Sequence, residues 1–364
     1  MSANQLAQEN PPPNEAAVIR DLAERLKNRI IKNNPTGIMR RDAHPKMHGV
    51  VKAEFIVEPG LPEELRIGIF REPATYRAWI RFSNQSDPMK PDIKPDIRGM
   101  AIKLMGVPGE KLLAAEKHEG TQDFIVISTN VFVTKDVEQF DGLIRSMEKG
   151  MAAQIWFAVT HPRFVWNLLK SSKKFPNPLQ IRYFSTTPYL FGDTAVKYSA
   201  IPRVTEPDSI PRNPDPDYLR LAMVRSLERG DAWFDFAVQL QTSARTMPIE
   251  DPGKAWSEAA SPFRKVASIR VMQQSFDSAE QREFGENLSF TPWHSIPEHR
   301  PLGGINRARK VVYDYISTFR HQYNKAPRRE PTSWEIGEEP AMAPGELSRA
   351  NAAAQADLDA ADPV

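Results

Sequence analysis

The feature that most constrains this chain is a set of segments in which apolar residues recur at every second position. Val51, Ala53, Phe55 and Val57 alternate with Val50, Lys52, Glu54 and Ile56, and Tyr76, Ala78, Ile80 and Phe82 alternate with Arg77, Trp79, Arg81 and Ser83. Successive side chains of a strand point to opposite faces, so each segment offers one face to a core. Met100, Ile102 and Leu104 form a third run and Phe124 to Ile127 a short apolar fourth, with Pro- and Gly-containing turns between them. That order predicts an antiparallel sheet or barrel. Strand-like segments near 197–204, 233–242 and 265–273 extend it.

Helical spacing brackets these strands. Val18, Leu22, Leu26 and Ile30 recur every fourth residue, which predicts a helix over 14–33 with Asn14 as N-cap and the NNPTG segment at 33–37 as its end. Residues 136–171 read as helical, and so does INRARKVVYDYISTFR with its flank, 305–321. The fold class is α+β: one domain over 14–330 with a β-rich centre. Residues 1–13 are polar and rich in proline and are expected to be disordered. Residues 331–364, rich in Ala, Pro and acidic side chains, are expected to form a flexible tail.

Composition removes several classes of function. A net charge of +2 over 364 residues argues against a nucleic-acid partner, which calls for a basic excess. The absence of cysteine excludes disulfides, thiolate metal sites, iron–sulfur clusters and a Cys nucleophile. The opening MSANQLAQENPPP lacks a signal-peptide pattern, and no uncharged apolar run approaches membrane-spanning length. No membrane span is expected, and the cytoplasm is the default location.

Candidate chemistry begins at 40–55, RRDAHPKMHGVVKAEF, where His44 and His48 stand four residues apart. Two zinc ligands at that spacing need a shared helix face. Pro45 biases His44 toward extended backbone and Gly49 opens an alternating run, so the pair reads as a loop entering a strand. A second group is the arginines Arg41, Arg81, Arg98, Arg309 and Arg320. A strand arginine whose head turns inward needs an anionic partner, whereas one on a half-exposed sheet faces water; spacing alone leaves both readings open. The third is Arg309 and Tyr313, one helical turn apart, with Arg320 two turns further on nearly the same face. A guanidinium beside a phenol favours the phenolate, a hard oxygen donor suited to haem iron.

Taken in order, these segments resemble the haem-catalase superfamily, specifically its short catalase-related branch. The likeness runs through RRDAHPKMHGVVKAEF, IRFSN at 80–84, DIRGMAIKL at 96–104, QDFIVISTNVFVTKD at 122–136 and ENLSFTPWHSIPEHRPLGGINRARKVVY at 286–313. It implies an eight-stranded antiparallel barrel with surrounding helices and haem b as cofactor. By position, His44 matches the distal catalytic histidine and Ser83 the serine bonded to it. Arg41, Arg81 and Arg320 match the haem-propionate arginines, Tyr313 the axial iron ligand and Arg309 its partner. Phe132 is a candidate to stack near the haem. An ungapped alignment through Val131-Phe132 and Asp136 puts Ser128 at the distal polar position. Asn130 stands two residues later, where a strand would turn it to the same face.

The resemblance implies a hydroperoxide-processing enzyme. Hydrogen peroxide dismutation, one-electron peroxidase turnover and rearrangement of fatty-acid hydroperoxides all use a distal histidine and a proximal tyrosine. The altered distal position favours peroxidase or organic hydroperoxide chemistry. The alternative is a non-catalytic haem carrier or sensor with the same fold. A homo-oligomer is compatible with the resemblance.

Overall fold

The computed structural model describes residues 6–336 apart from Asp42. Its centre is a closed antiparallel barrel. β1 (Lys46–Val57) pairs with β2 (Thr75–Asn84), β2 with β3 (Arg98–Met105), and β3 with β4 (Thr121–Ile127). β4 pairs with the two-residue β5 (Tyr183–Phe184), which joins β7 (Thr194–Pro202). β7 pairs with β8 (Ala232–Leu240), β8 with β9 (Arg264–Val271), and β9 returns to β1. β6 (Tyr189–Phe191) is a hairpin arm on β7 outside this ring of eight.

The alternation read from the sequence sets which side chains point in. Val51, Ala53, Phe55, Ala78, Ile80, Phe82, Met100, Ile102, Leu104 and Phe124 are buried in one interior cluster. Aromatic rings fill its middle: the Phe55 centroid lies 5.0 Å from that of Phe236, and Phe124 lies 4.8 Å from Phe236. An interior packed in this way has no room for a ligand. Any binding site built on the barrel must use the outward-facing positions 81, 83, 99, 101, 125 and 127.

Helices cover those positions. α1 (Glu15–Asn33), α2 (Val137–Lys149) and α7 (Gly304–Asn324) meet through Ile19, Leu22, Ala23, Leu26, Val137, Ile144, Ile305, Ala308 and Val312. The stretch 136–171 expected to be helical is three helices, α2, α3 (Met151–Thr160) and α4 (Pro162–Ser171). Gly150, at φ 96°, ends α2 in a conformation that costs other residues more. Pro162 starts α4 at its first position, where its missing N–H is no loss. α5 (Tyr218–Arg229) and α6 (Ala279–Asn287) complete the set. Asn14 precedes α1, but its side chain makes no capping bond.

Near both chain ends the described residues pair with the rest of the domain. Residues 6–13 are held by pairing: Glu9 Oε1 lies 2.6 Å from Arg307 Nη1, and Ala7 N donates to Gln241 Oε1 at 2.8 Å. Arg307 also binds Glu15 and Glu250, so this segment closes a charged cluster. At the other end Trp334 packs on the barrel exterior and donates to the Ala78 carbonyl at 3.1 Å. Residues 1–5 and 337–364 lie outside the described residues. Because Phe124 sits among Phe55, Tyr198 and Phe236, Phe124→Ala should lower the unfolding free energy by about 3–5 kcal/mol in denaturant titration.

Candidate functional site

Between the outer face of β2–β4 and the helices α1, α2 and α7 lies a cavity with about 1510 Å³ of atom-free space out to its mouth. The register lines up its floor: Ser83 stands opposite Gly99 and Gly99 opposite Ile127, while Arg81 stands opposite Ala101 and Ala101 opposite Ile125. Two small residues at the centre of these rows leave a shallow bed. A Cβ on Gly99 would come within 2.5 Å of His44 Nδ1 and 3.0 Å of Ser83 Oγ. The imidazole therefore rests where a larger residue on β3 would stand.

His44 reaches that place from the loop before β1 with φ 59°, a left-handed conformation uncommon for a residue with a side chain. Its backbone N–H donates to the Gln85 carbonyl at 3.4 Å, and Arg81 Nη1 donates to its carbonyl at 3.1 Å. Ser83 Oγ lies 3.1 Å from His44 Nδ1, which leaves Nε2 as the unengaged ring nitrogen. Burial, followed by the positive charges of Arg81, Arg309 and Arg41, pushes His44 down to about 3 and holds it neutral.

Three arginines meet at one edge of the cavity. Arg41 Nη2 donates to the carbonyls of Glu286 at 2.8 Å and Leu288 at 2.6 Å, at the carbonyl end of α6. Arg320 binds the Glu286 carboxylate at 2.7 Å, whereas Arg41 Nε and Arg81 Nη2 each stand 4.0 Å from it. One carboxylate thus faces three guanidinium groups. Arg81 Nε and Nη2 and Arg41 Nε are buried without a hydrogen-bond partner. Burial and mutual repulsion push Arg81 well below the ordinary guanidinium range and Arg320 down to about 10. Such a cluster is costly unless anions enter it. The donors therefore fit a ligand that brings two carboxylates, as haem b does.

Tyr313 lines the same cavity from α7. The Arg309 guanidinium lies 5.9 Å from its ring centroid and 5.8 Å from that of Phe132, and it donates to Thr187 Oγ1 at 3.3 Å. His44, Ser83, Arg41, Arg81, Arg309, Tyr313, Arg320 and Phe132 all line this one cavity. Arg98 does not: it is buried and binds the carbonyls of Asp92 and Lys94. His48 is also apart, bonded to Asn84 Oδ1 at 2.6 Å.

Ser128 and Asn130 need correction. Ser128 Oγ accepts from the Arg98 N–H at 2.9 Å and is not part of the cavity wall. Asn130 is exposed beside Phe184, Lys197 and Trp256 in a separate small pocket. β4 ends at Ile127, so the two-residue periodicity that was to bring Asn130 round no longer applies. The side of the cavity they were to furnish is apolar, formed by Ile127, Phe132 and Val133. A polar residue absent from the sequence reading also lines the cavity: Gln85, whose backbone carbonyl accepts from the His44 N–H. Its signal was its place two residues after Ser83, one step beyond the end of β2.

No family model matches the chain. A catalase-related peroxidase from Mycolicibacterium paratuberculosis (strain ATCC BAA-968 / K-10) is 25% identical over 279 residues, covering 71% of this chain and 82% of that protein. Among solved structures, a bacterial catalase superposes with a TM-score of 0.62 at 18% identity over 94% of this chain and 69% of its own. A fungal catalase gives 0.61 at 18% identity, covering 88% of this chain. The chain has the catalase fold. Catalase A from Saccharomyces cerevisiae, another neighbour, gives a TM-score of 0.59 at 17% identity. The chain spans only 65% of the fungal catalase's length.

Buried histidines outside the cavity make acid sensitivity a test of the packing. Burial, their largest influence, lowers His48 to about 4 and His299 to about 3 from 6.5. The unfolded chain then binds more protons than the folded one below pH 6.5, so stability falls with pH from there down to about 4. Urea unfolding should show a loss of about 1.4 kcal/mol per pH unit per histidine over that window. His299→Gln, which can still accept from the Ile69 N–H, should make the slope shallower.

Proposed function

We propose that the cavity holds haem b and that the chain is a peroxidase-type enzyme cleaving the O–O bond of hydroperoxides, organic ones foremost. The observation that carries this reading is the buried, anion-seeking trio Arg41, Arg81 and Arg320 beside the neutral His44. In this reading the trio holds the propionates, Tyr313 ligates the iron, Arg309 supports the phenolate and Phe132 lies against the macrocycle. When bound, haem supplies the redox chemistry that breaks the O–O bond. The peroxidase named among the relatives supports the same class of reaction.

The chain's own contribution is proton handling and exclusion. With Nδ1–H donating to Ser83 Oγ, His44 Nε2 is free to take a proton from one peroxide oxygen and return it to the departing one. Gly99 leaves the imidazole its place, and the Arg81 bond to the His44 carbonyl fixes the loop that carries it. Gln85 supplies a second polar group at the cavity wall, in the role first given to Ser128 or Asn130. The wall of Ile127, Phe132 and Val133 suits an alkyl substituent better than water. Hydrogen peroxide dismutation and rearrangement of lipid hydroperoxides are the competing outcomes at the same site.

Protein supplemented with haem should show a strong Soret band with high-spin, tyrosinate-type features that Tyr313→Phe loses or shifts. A spectrum without a Soret band, unchanged by Tyr313→Phe, overturns the assignment. His44→Ala should keep the Soret band and lose about 10²–10⁴-fold in turnover of tert-butyl hydroperoxide. Unchanged turnover in that variant would make the chain a haem carrier or sensor. Gln85→Val should lower kcat/KM about tenfold for the same substrate, the equivalent of one neutral hydrogen bond, measured by steady-state kinetics. Rapid oxygen evolution from hydrogen peroxide would instead favour dismutation.

A further inference from the structure

The helices α3 and α4 carry the least expected surface of the molecule. Met151, Ile155, Trp156 and Val159 project from one face of α3, and Trp166 and Leu169 from α4; Trp156 is 69% exposed and Trp166 59%. Single exposed apolar residues are ordinary, but six large ones on two successive helices form a patch that calls for a partner. The opposite faces are anchored: Phe157 and Phe164 are buried with their centroids 5.3 Å apart. The projecting side chains are therefore held outward by a fixed core beneath them.

The segment that carries the patch holds charge of one sign, with Glu148 just before it and Asp251 paired to Arg163 of α4. From Lys149 to Gly192 there is no acidic residue, while Lys149, Lys170, Lys173 and Lys174 are exposed and form no ion pair among the described residues. Lys170 Nζ sits 4.4 Å over the Trp166 ring, beside an apolar anchor. Protein interfaces are depleted in lysine, and a second copy docked face to face would bring two basic rims together without a counter-charge. Tryptophan with lysine around aliphatic side chains is the composition of an element lying in a bilayer interface. Each helix has only 10 residues, too few to span a membrane.

We propose that α3 and α4 form a docking surface for anionic phospholipid membranes. Trp156, Trp166 and their aliphatic neighbours enter the acyl boundary, and Lys170, Lys173 and Lys174 meet the headgroups. Phe157 and Phe164 pack against Ile127 and Val133, which line the cavity, so the docked face lies one side-chain layer behind the proposed site. The inference that the substrate is a lipid hydroperoxide taken from the membrane rests on the proposed function; docking itself does not.

The test is co-sedimentation of the full, haem-supplemented chain with vesicles of phosphatidylcholine alone and of phosphatidylcholine mixed with phosphatidylglycerol. Binding is expected only to the mixed vesicles, with a blue shift of tryptophan fluorescence, weakened by salt. The double variant Trp156→Ser/Trp166→Ser and the triple variant Lys170→Glu/Lys173→Glu/Lys174→Glu should each bind at least about tenfold more weakly. All these side chains are exposed, so melting curves should stay near wild type. Wild type that ignores the mixed vesicles, or variants that bind as wild type does, overturn the proposal. So does a wild-type dimer that the tryptophan variant converts to monomer in sedimentation velocity, since the face would then join two copies. Turnover of water-soluble tert-butyl hydroperoxide, followed in parallel, separates a failure of docking from a failure of the proposed chemistry.

Discussion

Three buried guanidinium groups facing one carboxylate are the constraint around which this side of the molecule is arranged. Arg41, Arg81 and Arg320 come from the loop before β1, from β2 and from α7, and Glu286 from α6. No pair is adjacent in sequence, so the cluster exists only if barrel and helices assemble in this relation. Backbone carbonyls of Met39, His44, Glu286 and Leu288 carry part of the charge. They accept hydrogen bonds but do not neutralise, and two positive charges stay uncompensated. In a poorly polarisable interior that arrangement persists when it has a ligand to bind.

The packed barrel interior explains why the site is where it is. Phe55, Phe124, Tyr198 and Phe236 occupy the space a barrel could have used for a ligand. Function is left to the outward row, and the strand period decides which side chains that row holds. Arg81 and Ser83 face out because Ile80 and Phe82 face in. Gly99 and Ala101 face out on β3 because Met100 and Ile102 face in. A one-residue slip of β2 would put Arg81 into the apolar core and Phe82 over the cavity. Register and site are therefore the same fact, viewed from two sides of one sheet.

Much of this was legible in the sequence, for identifiable reasons. Alternation placed β1 to β4 but left the facing of Arg81 open, and four-residue spacing placed α1 and the Arg309–Tyr313–Arg320 face of α7. The choice of His44 over His48 came from the family resemblance; in the structure His44 lines the cavity and His48 is bonded to Asn84. Asn130 was reached by a strand rule carried past the end of a strand, whereas Ser128, taken from the alignment, bonds the Arg98 N–H outside the cavity wall. Glu286, Thr187 and the Gly99 contact were unseen because each depends on a neighbour far away in sequence. The polar, proline-rich composition of 1–13 hid the pairing of Glu9 with Arg307.

Under the proposed function, substrate preference would follow from the division of this cavity into a polar and an apolar wall. The segment after β4 presents Ile127, Phe132 and Val133, while polarity sits with Gln85 beside the histidine loop. Hydrogen peroxide has no apolar surface to gain from the first wall. An organic hydroperoxide gains about 0.8 kcal/mol for each methylene it buries, while its O–O group needs only the His44 side. Discrimination is a difference between two affinities, so this wall raises one substrate without tightening the other. Selectivity of that kind is graded: a few methylenes separate small alkyl from long-chain hydroperoxides by factors of ten, not by exclusion.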